Sequence, residues 1–191
     1  MKAVRLFELT QVVQCDSGGP VYFGHPVNSS LHVTRYQYTK RLMKTTYEGR
    51  YHMEYRTFDE TLVVRLDPGE EICRSLLEIA EKENLELAEI EGLGAVNKFT
   101  TGVYDVKEKV FKPNTFEGSY EITSLHGTIT IKDDKPYLHV HMCAGNETGA
   151  VFGGHLSEAY ISATAEIIMR KINGQVGREP DAVTGLNLFA F

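Results

Sequence analysis

Apolar and polar residues follow two different periods along this chain, and the change of period predicts its elements. From Thr61 to Leu66 they alternate, which is typical of a strand with one buried face. The next apolar residues recur at spacings of three and four and share one helical stripe: Ile72, Leu76, Ile79 and Ala80. Asp67 and Pro68 suit the cap and first position of a helix, and Asn84 suits its end. The pattern therefore predicts a strand followed by a long helix.

The remainder of the chain predicts strands almost exclusively. Alternating or β-branched segments lie at 85–90, 98–104, 109–112, 120–125, 128–131, 137–142 and 160–172. Turn signals rich in proline, asparagine or aspartate separate them, such as those at 112–114 and 132–136. The predicted fold class is α+β, a single sheet-dominated domain with one long helix packed on one face of the sheet.

The first 52 residues differ from the rest in pattern and in charge. They contain seven Lys and Arg against three Asp and Glu, whereas residues 53–191 contain thirteen against twenty-three. They are also rich in Tyr, Thr, Ser and His and show few periodic runs. We expect residues 1–52 to be an N-terminal extension, either weakly structured or an artefact of an upstream start, with a small added hairpin as the alternative. Residues 53–191 are expected to form the domain.

Composition narrows the function classes. A chain of 191 residues with 42% hydrophobic residues suits one globular domain with a packed core. The acidic balance of residues 53–191 makes nucleic acid a poor default partner, because phosphates require clustered cations. Three cysteines without paired spacing favour a reducing compartment, the cytoplasm. No run approaches 18 uninterrupted apolar residues, so we expect no contact with a membrane.

Three histidines are the strongest chemical signal in the sequence. His139 and His141 lie two apart in a predicted strand, which places both side chains on one face. A turn built on Gly153 and Gly154 would bring His155 across from them. Three neutral imidazoles with an open fourth position describe a catalytic type of zinc site, and other divalent transition metals could compete. The alternative is that the histidines are unrelated, some hydrogen-bonded within a core and others exposed.

Other residues could complete such a site. Glu121 and Glu166 are embedded in strand patterns and are candidate general acids or bases, with exposure to solvent as the alternative. Cys143 shares the strand parity of the two histidines, and a thiolate there would close the site to substrate. We expect the strand to end near Met142, which would break that parity and rank Cys143 below the histidines.

Five motifs occur in one order along the chain, and together they resemble the PPC domain shared by plants and prokaryotes. They are Asp67-Pro68-Gly69-Glu70, Gly92-Leu93-Gly94-Ala95-Val96, the segment 117–127, the His-x-His strand, and Gly153-Gly154-His155-Leu156. The resemblance covers residues 53–191. It implies a compact domain that assembles as a homotrimer, and a family label of DNA-binding protein. Plant members bind AT-rich DNA through a separate Arg-Gly-Arg-Pro-type element that this chain does not contain, so DNA is not the favoured partner.

Two functional hypotheses follow from the resemblance. In the first, the protein is a binding or regulatory module, of the DNA-binding family label, that holds a divalent metal through three histidines. The second rests on the fold's similarity to acetolactate decarboxylase, whose zinc is held by a His-x-His strand and a later histidine. That analogy implies a zinc-dependent lyase or hydrolase acting on a small oxygen-rich metabolite.

Overall fold

A computed structural model describes residues 53–191, so the expectations for residues 1–52 lie outside the described part of the chain. One helix and eight strands occur within residues 53–191. In chain order they are β1 Glu54–Phe58, β2 Thr61–Leu66, α1 Ile72–Lys82, β3 Ala88–Asp105, β4 Val110–Lys132, β5 Lys135–Asn146, β6 Val151–Lys171, β7 Gly177–Pro180 and β8 Asn187–Ala190.

Four long strands form a closed cycle of antiparallel pairings. Strand β3 pairs with β4 and β6, and β5 also pairs with β4 and β6. A sheet that closes in this way has an inner face filled by side chains and leaves none of these four strands as a full-length edge. Strands β2 and β1 extend the sheet from β6, and the β7–β8 hairpin joins β4 through one parallel pairing, Ile131 with Gly177.

The core lies inside this cycle and beneath α1. The helix turns one apolar stripe inward, and Leu76 and Ile79 on that stripe are fully buried. The sheet contributes alternating residues that are also inaccessible to solvent: Phe99, Leu125, Ile129, Met142, Ile161 and Met169. Because side chains alternate along each strand, the residues between these core positions face outward, and the candidate site is built from that outer face.

The predicted long helix is wrong. Helix α1 has 11 residues and begins at Ile72, so Asp67 and Pro68 are neither its cap nor its first turn. They belong to a turn in which the Glu70 N–H donates to the Asp67 carbonyl at 3.2 Å. Gly69 has a φ of +90° there, which a right-handed helix does not allow. Glu71 caps the helix instead, since its carboxylate accepts hydrogen bonds from the N–H groups of the second and third helical residues.

Strands dominate the structure as predicted, and β2 has the predicted bounds. Several of the predicted short strands are parts of longer strands. The predicted turn at 112–114 is wrong, because Pro113 lies inside β4 and is paired with Gly102. Register shifts in β3, such as the one between Gly92 and Gly94, bend the strands without ending them. The turn signal at 132–136 is confirmed in part. Asp133 and Asp134 join β4 to β5 with φ values of 52° and 59°, which suits a two-residue hairpin.

No helix in residues 53–191 is long and apolar enough to cross a membrane.

Candidate metal centre

Strand β5 places two of the three histidines on the outer face of the sheet. His139 and His141 alternate with Val140 and Met142, which are 2% and 1% exposed in the core. The period of two therefore turns both imidazoles away from the core, as the sequence predicts. His139 is half-buried and His141 is exposed.

Strand pairing brings the third histidine to the same place. His155 on β6 is paired directly with His141 on β5, and its chain neighbour Leu156 is buried. The turn between these strands, however, is not built on Gly153 and Gly154 as the sequence predicted. It lies at 147–150, where the Asn146 side-chain oxygen accepts hydrogen bonds from the N–H groups of two turn residues.

The two glycines act inside β6 by allowing close approach. A Cβ at Gly153 would lie 2.5 Å from Cys143 Sγ and 2.5 Å from the Met142 carbonyl oxygen. A Cβ at Gly154, whose φ is +153°, would lie 2.5 Å from the Gly102 carbonyl oxygen. Both positions therefore exclude a side chain, and this lets β6 pack closely against β5 on one side and β3 on the other.

The three imidazole rings converge on one point. Their centroids are 5.2 Å apart for His139 and His141, 5.2 Å for His139 and His155, and 5.4 Å for His141 and His155. One ring nitrogen from each lies within 4.8 Å of the other two. Ligands of a tetrahedral zinc ion, at about 2.0–2.1 Å from the metal, lie roughly 3.4 Å from one another. Metal binding would require small ring rotations to reach this spacing, and the cluster could hold a metal ion in that way.

Burial prepares these side chains for metal binding by keeping them neutral. Desolvation lowers the pKa of His139 from 6.5 to about 4, and His155 when protonated, the Arg178 cation and His141 when protonated act in the same direction. Desolvation and His141 also lower the pKa of His155. A neutral imidazole has a free lone pair, so at neutral pH no proton has to be displaced from either ring before a metal binds.

The structure does not bring the other candidates into the cluster. Strand β5 continues to Asn146, so the expected strand end near Met142 is wrong, and Cys143 keeps the histidines' face without joining their group. Glu121 is exposed and is paired with Gly145, four residues along β5 from His141. Glu166 is exposed too, eleven residues beyond His155 on β6.

Two side chains beside the cluster were not found from the sequence. Phe111 on β4 packs edge-on against His155, with ring centroids 5.7 Å apart, and forms an apolar wall. Arg178 on β7 reaches the same outer face and stacks on Tyr137, its Cζ atom 5.1 Å from the ring centroid. Both approach through non-local pairings, and no local motif marks either position.

Solved structures share this architecture. A plant- and prokaryote-conserved (PPC) protein of Pyrococcus horikoshii is 33% identical, with a TM-score of 0.64 over 73% of this chain and 95% of that chain. A metal-containing protein of Archaeoglobus fulgidus is 30% identical, with a TM-score of 0.64 over 74% and 98%. A protein of Ralstonia eutropha, named only as a candidate for DNA binding, is 25% identical, with a TM-score of 0.68 over 72% and 95%.

The resemblance to acetolactate decarboxylase is faint. A Staphylococcus aureus protein of unknown function, described as similar to that enzyme, aligns with 11% identity and a TM-score of 0.44. Likeness at this level supports no argument about activity.

The family itself is shown by the sequence match. No curated protein matches this chain. A family model for the Plants and Prokaryotes Conserved (PCC) domain matches residues 53–173, which confirms the resemblance seen in the ordered motifs. The chain therefore belongs to the Plants and Prokaryotes Conserved domain family.

Proposed function

We propose that this protein is a binding module that holds one divalent transition metal, zinc in the first instance, through His139, His141 and His155. The observation that carries the proposal is the convergence of three ring nitrogens, from two paired strands, within 4.8 Å of one another. A related protein, 30% identical, is named as metal-containing, which supports the same conclusion.

The chain's own residues would define the site as follows. His139 and His141 would supply two ligands from one rigid strand, and His155 would supply the third from the neighbouring strand. The ring of Phe111 limits access of water on the His155 side. A bound metal would act as a Lewis acid with an open position for water or a small oxygen ligand.

A binding role is favoured over the lyase or hydrolase alternative. General acid–base catalysis requires a proton-transferring group within hydrogen-bond reach of the reacting atoms. In the part of the chain that the structure describes, no carboxylate belongs to the histidine group. Glu121 and Glu166 both face solvent elsewhere on the sheet.

Elemental analysis of the purified full chain tests the proposal. We expect about one equivalent of a transition metal in the unaltered protein and a loss of nearly all of it when the three histidines are replaced together by alanine. His126→Ala is the matched control, because His126 is exposed and paired with His141 across β4 and β5 but lies outside the converging group. Equal metal content in the triple variant and the unaltered protein would overturn the proposal.

DNA binding is a second candidate, because a relative with 25% identity is named as a candidate for it. Residues 53–191 oppose it with thirteen Lys and Arg against twenty-three Asp and Glu. Titration of the full chain with duplex DNA at two salt concentrations tests whether DNA is a partner. Affinity that falls steeply as salt rises would support DNA as a partner, whereas no binding at either concentration would remove it.

We also propose that the chain forms a homotrimer. Four apolar side chains, 39% to 58% exposed, line one open groove of about 1220 Å³: Phe58, Val63, Leu93 and Ile168. Contact with a second copy would remove this surface from water. A cytoplasmic location is part of the proposal, because Cys73 and Cys143 form no disulfide within the described residues.

A further inference from the structure

Arg178 is an unusual neighbour for a group of histidines, because its charge has no carboxylate partner among residues 53–191. It lies on β7, and its guanidinium is held between two aromatic rings, with Cζ 5.1 Å from the Tyr137 centroid and 4.2 Å from the Phe189 centroid. No ion pair within residues 53–191 includes it. The aromatic faces stabilise the cation but do not satisfy its N–H groups.

The hydrogen bonds of Arg178 leave one nitrogen unused. Nε donates to Thr130 Oγ1 at 3.0 Å, and Nη1 donates to the Asn187 carbonyl oxygen at 3.0 Å. Nη2 is shielded from solvent and has no partner among the described residues. A shielded charged donor without an acceptor is unfavourable, and an anion bound beside Nη2 would satisfy it.

The strand register places this donor next to the histidine cluster. Thr130 is paired with Tyr137, and Thr128 is paired with His139. Tyr137 and His139 are two residues apart on the same face, which is about 7 Å along a strand. The Arg178 guanidinium, stacked on Tyr137, therefore lies one step along the sheet from the nearest proposed metal ligand.

We infer that Arg178 forms the anion-binding half of the same site, so that the ligand of the bound metal is a small oxyanion, a carboxylate or a phosphate, whose second oxygen accepts from Nη2. The inference rests on the proposed metal function. Metal and guanidinium together would neutralise the anion at two points, and this would select against neutral oxygen ligands of the same size.

Access to Nη2 depends on the C-terminal hairpin. The ring of Phe189 on β8 covers the guanidinium, and the hairpin meets β4 through the single pairing of Ile131 with Gly177. Admitting an oxygen beside Nη2 would require a local shift of the Phe189 ring.

Cobalt(II) substitution of the full chain provides a test that needs no catalytic activity. The visible absorption of bound cobalt is titrated with acetate, with inorganic phosphate and with neutral acetamide at constant ionic strength. We expect the two anions, but not acetamide, to perturb the spectrum. Arg178→Gln should weaken anion binding at least tenfold, since a charge-assisted hydrogen bond contributes about a factor of ten, and it should not lower cobalt affinity, because it removes a positive charge near the metal. The tighter of the two anions identifies the ligand class.

Controls separate this inference from the proposed function. Arg170→Gln is matched, because Arg170 is exposed and paired with Glu89 at 3.0 Å on another strand, and it should bind both anions as the unaltered protein does. Arg178→Lys keeps the charge without the planar donors and should give an intermediate affinity if the fold is intact. Equal anion affinity in folded Arg178→Gln would overturn the inference alone. Failure to bind cobalt at all would overturn the metal function and the inference with it.

Discussion

On the outer face of the sheet, two residues of the same type can differ in their burial and in the charged groups around them. His126 and His139 both face outward from neighbouring strands, but only His139 is half-buried and surrounded by positive groups. Desolvation of its ring favours the neutral form, which is the form that binds a metal. Burial of the His139 ring also makes the free energy of unfolding depend on pH.

We predict that the metal-free protein loses stability as the pH falls from about 6.5 to about 4. Over that interval the unfolded chain protonates His139 and the folded chain does not, so the unfolded state binds more protons. We expect a decrease of about 1–2 kcal/mol in the free energy of unfolding, less than the full shift implies because the ring is half exposed. Urea denaturation in the presence of a chelator, at a series of pH values, measures it.

A pair of variants assigns this pH dependence to a residue. His139→Gln should flatten the profile in part, because His155 has a lowered pKa too and keeps its own contribution. His126→Gln replaces an exposed ring on the neighbouring strand and controls for the substitution itself. A profile that is identical in the unaltered protein and in His139→Gln would contradict the assignment.

At the scale of secondary-structure elements, the pairing of β5 with β6 determines whether His155 meets His139 and His141. His155 stands opposite His141 only while β6 keeps its close approach to β5, and Gly153 permits that approach. A one-residue slip would turn His155 to the core face.

Gly153→Ala is therefore predicted to damage the metal centre from a distance. The added Cβ would meet Cys143 Sγ and backbone atoms at under 3 Å, so the strands must separate. We expect a loss of about 1–3 kcal/mol in stability and a clear fall in metal affinity, measured by thermal unfolding and by calorimetric titration with zinc. Gly145→Ala is the control, since a Cβ there would make ordinary contacts at 3.6 Å. Equal zinc affinity in both variants would refute this role of Gly153.

Helix α1 is attached to the sheet by its cap. The Glu71 carboxylate accepts hydrogen bonds from the N–H groups of Cys73 and Arg74 and from the N–H of Ala159 on β6, at 2.7–3.0 Å. One side chain thus caps the start of the helix and joins it to β6.

We predict that Glu71→Ala destabilises the protein by about 2–4 kcal/mol, because three shielded N–H groups lose their acceptor. The exposed Glu78, on the same helix, provides the comparison, and Glu78→Ala should change stability by less than about 0.5 kcal/mol. Chemical denaturation of both variants measures the difference. A loss below about 1 kcal/mol in Glu71→Ala would show that water replaces the carboxylate.

For the whole molecule, the closed cycle of strands leaves few places for association. Its four strands are paired along most of their length, so contact between copies through side chains is favoured over addition of a strand. The groove beside β1 and β2, with its exposed apolar side chains, is the surface proposed for such contact.

Light scattering after size exclusion should give three times the 21.5 kDa mass of one chain. Leu93→Glu places a charge in the groove and should shift the population toward monomer. Val103→Glu is the control, because Val103 is exposed outside the groove. A monomeric mass for the unaltered protein would exclude the trimer.

A structural feature can be predicted from the amino-acid sequence when the residues that cause it are close together in the chain. The period of two along β5 already places His139 and His141 on one face, and alternation alone predicts β2 with its observed bounds. The apolar stripe of α1 also follows from residues that are close together in the chain. The start of α1 was mispredicted because Asp67 and Pro68 satisfy the usual rules, whereas the actual cap, Glu71, is selected by its contact with β6.

The amino-acid sequence by itself determined the family, the acidic domain, the sheet-rich character and the placement of His139 and His141 on one face, since these follow from composition, ordered motifs and side-chain period. Only the tertiary structure decided the rest. The sequence predicted that His155 joins the other histidines, but the structure places it by pairing of β5 with β6 and not by a turn at Gly153 and Gly154. The structure also excluded Glu121 and Glu166 from the cluster and brought Arg178 beside it. The physical reason is that strand register and packing join residues far apart in the chain, and their energies depend on partners that no local pattern reveals.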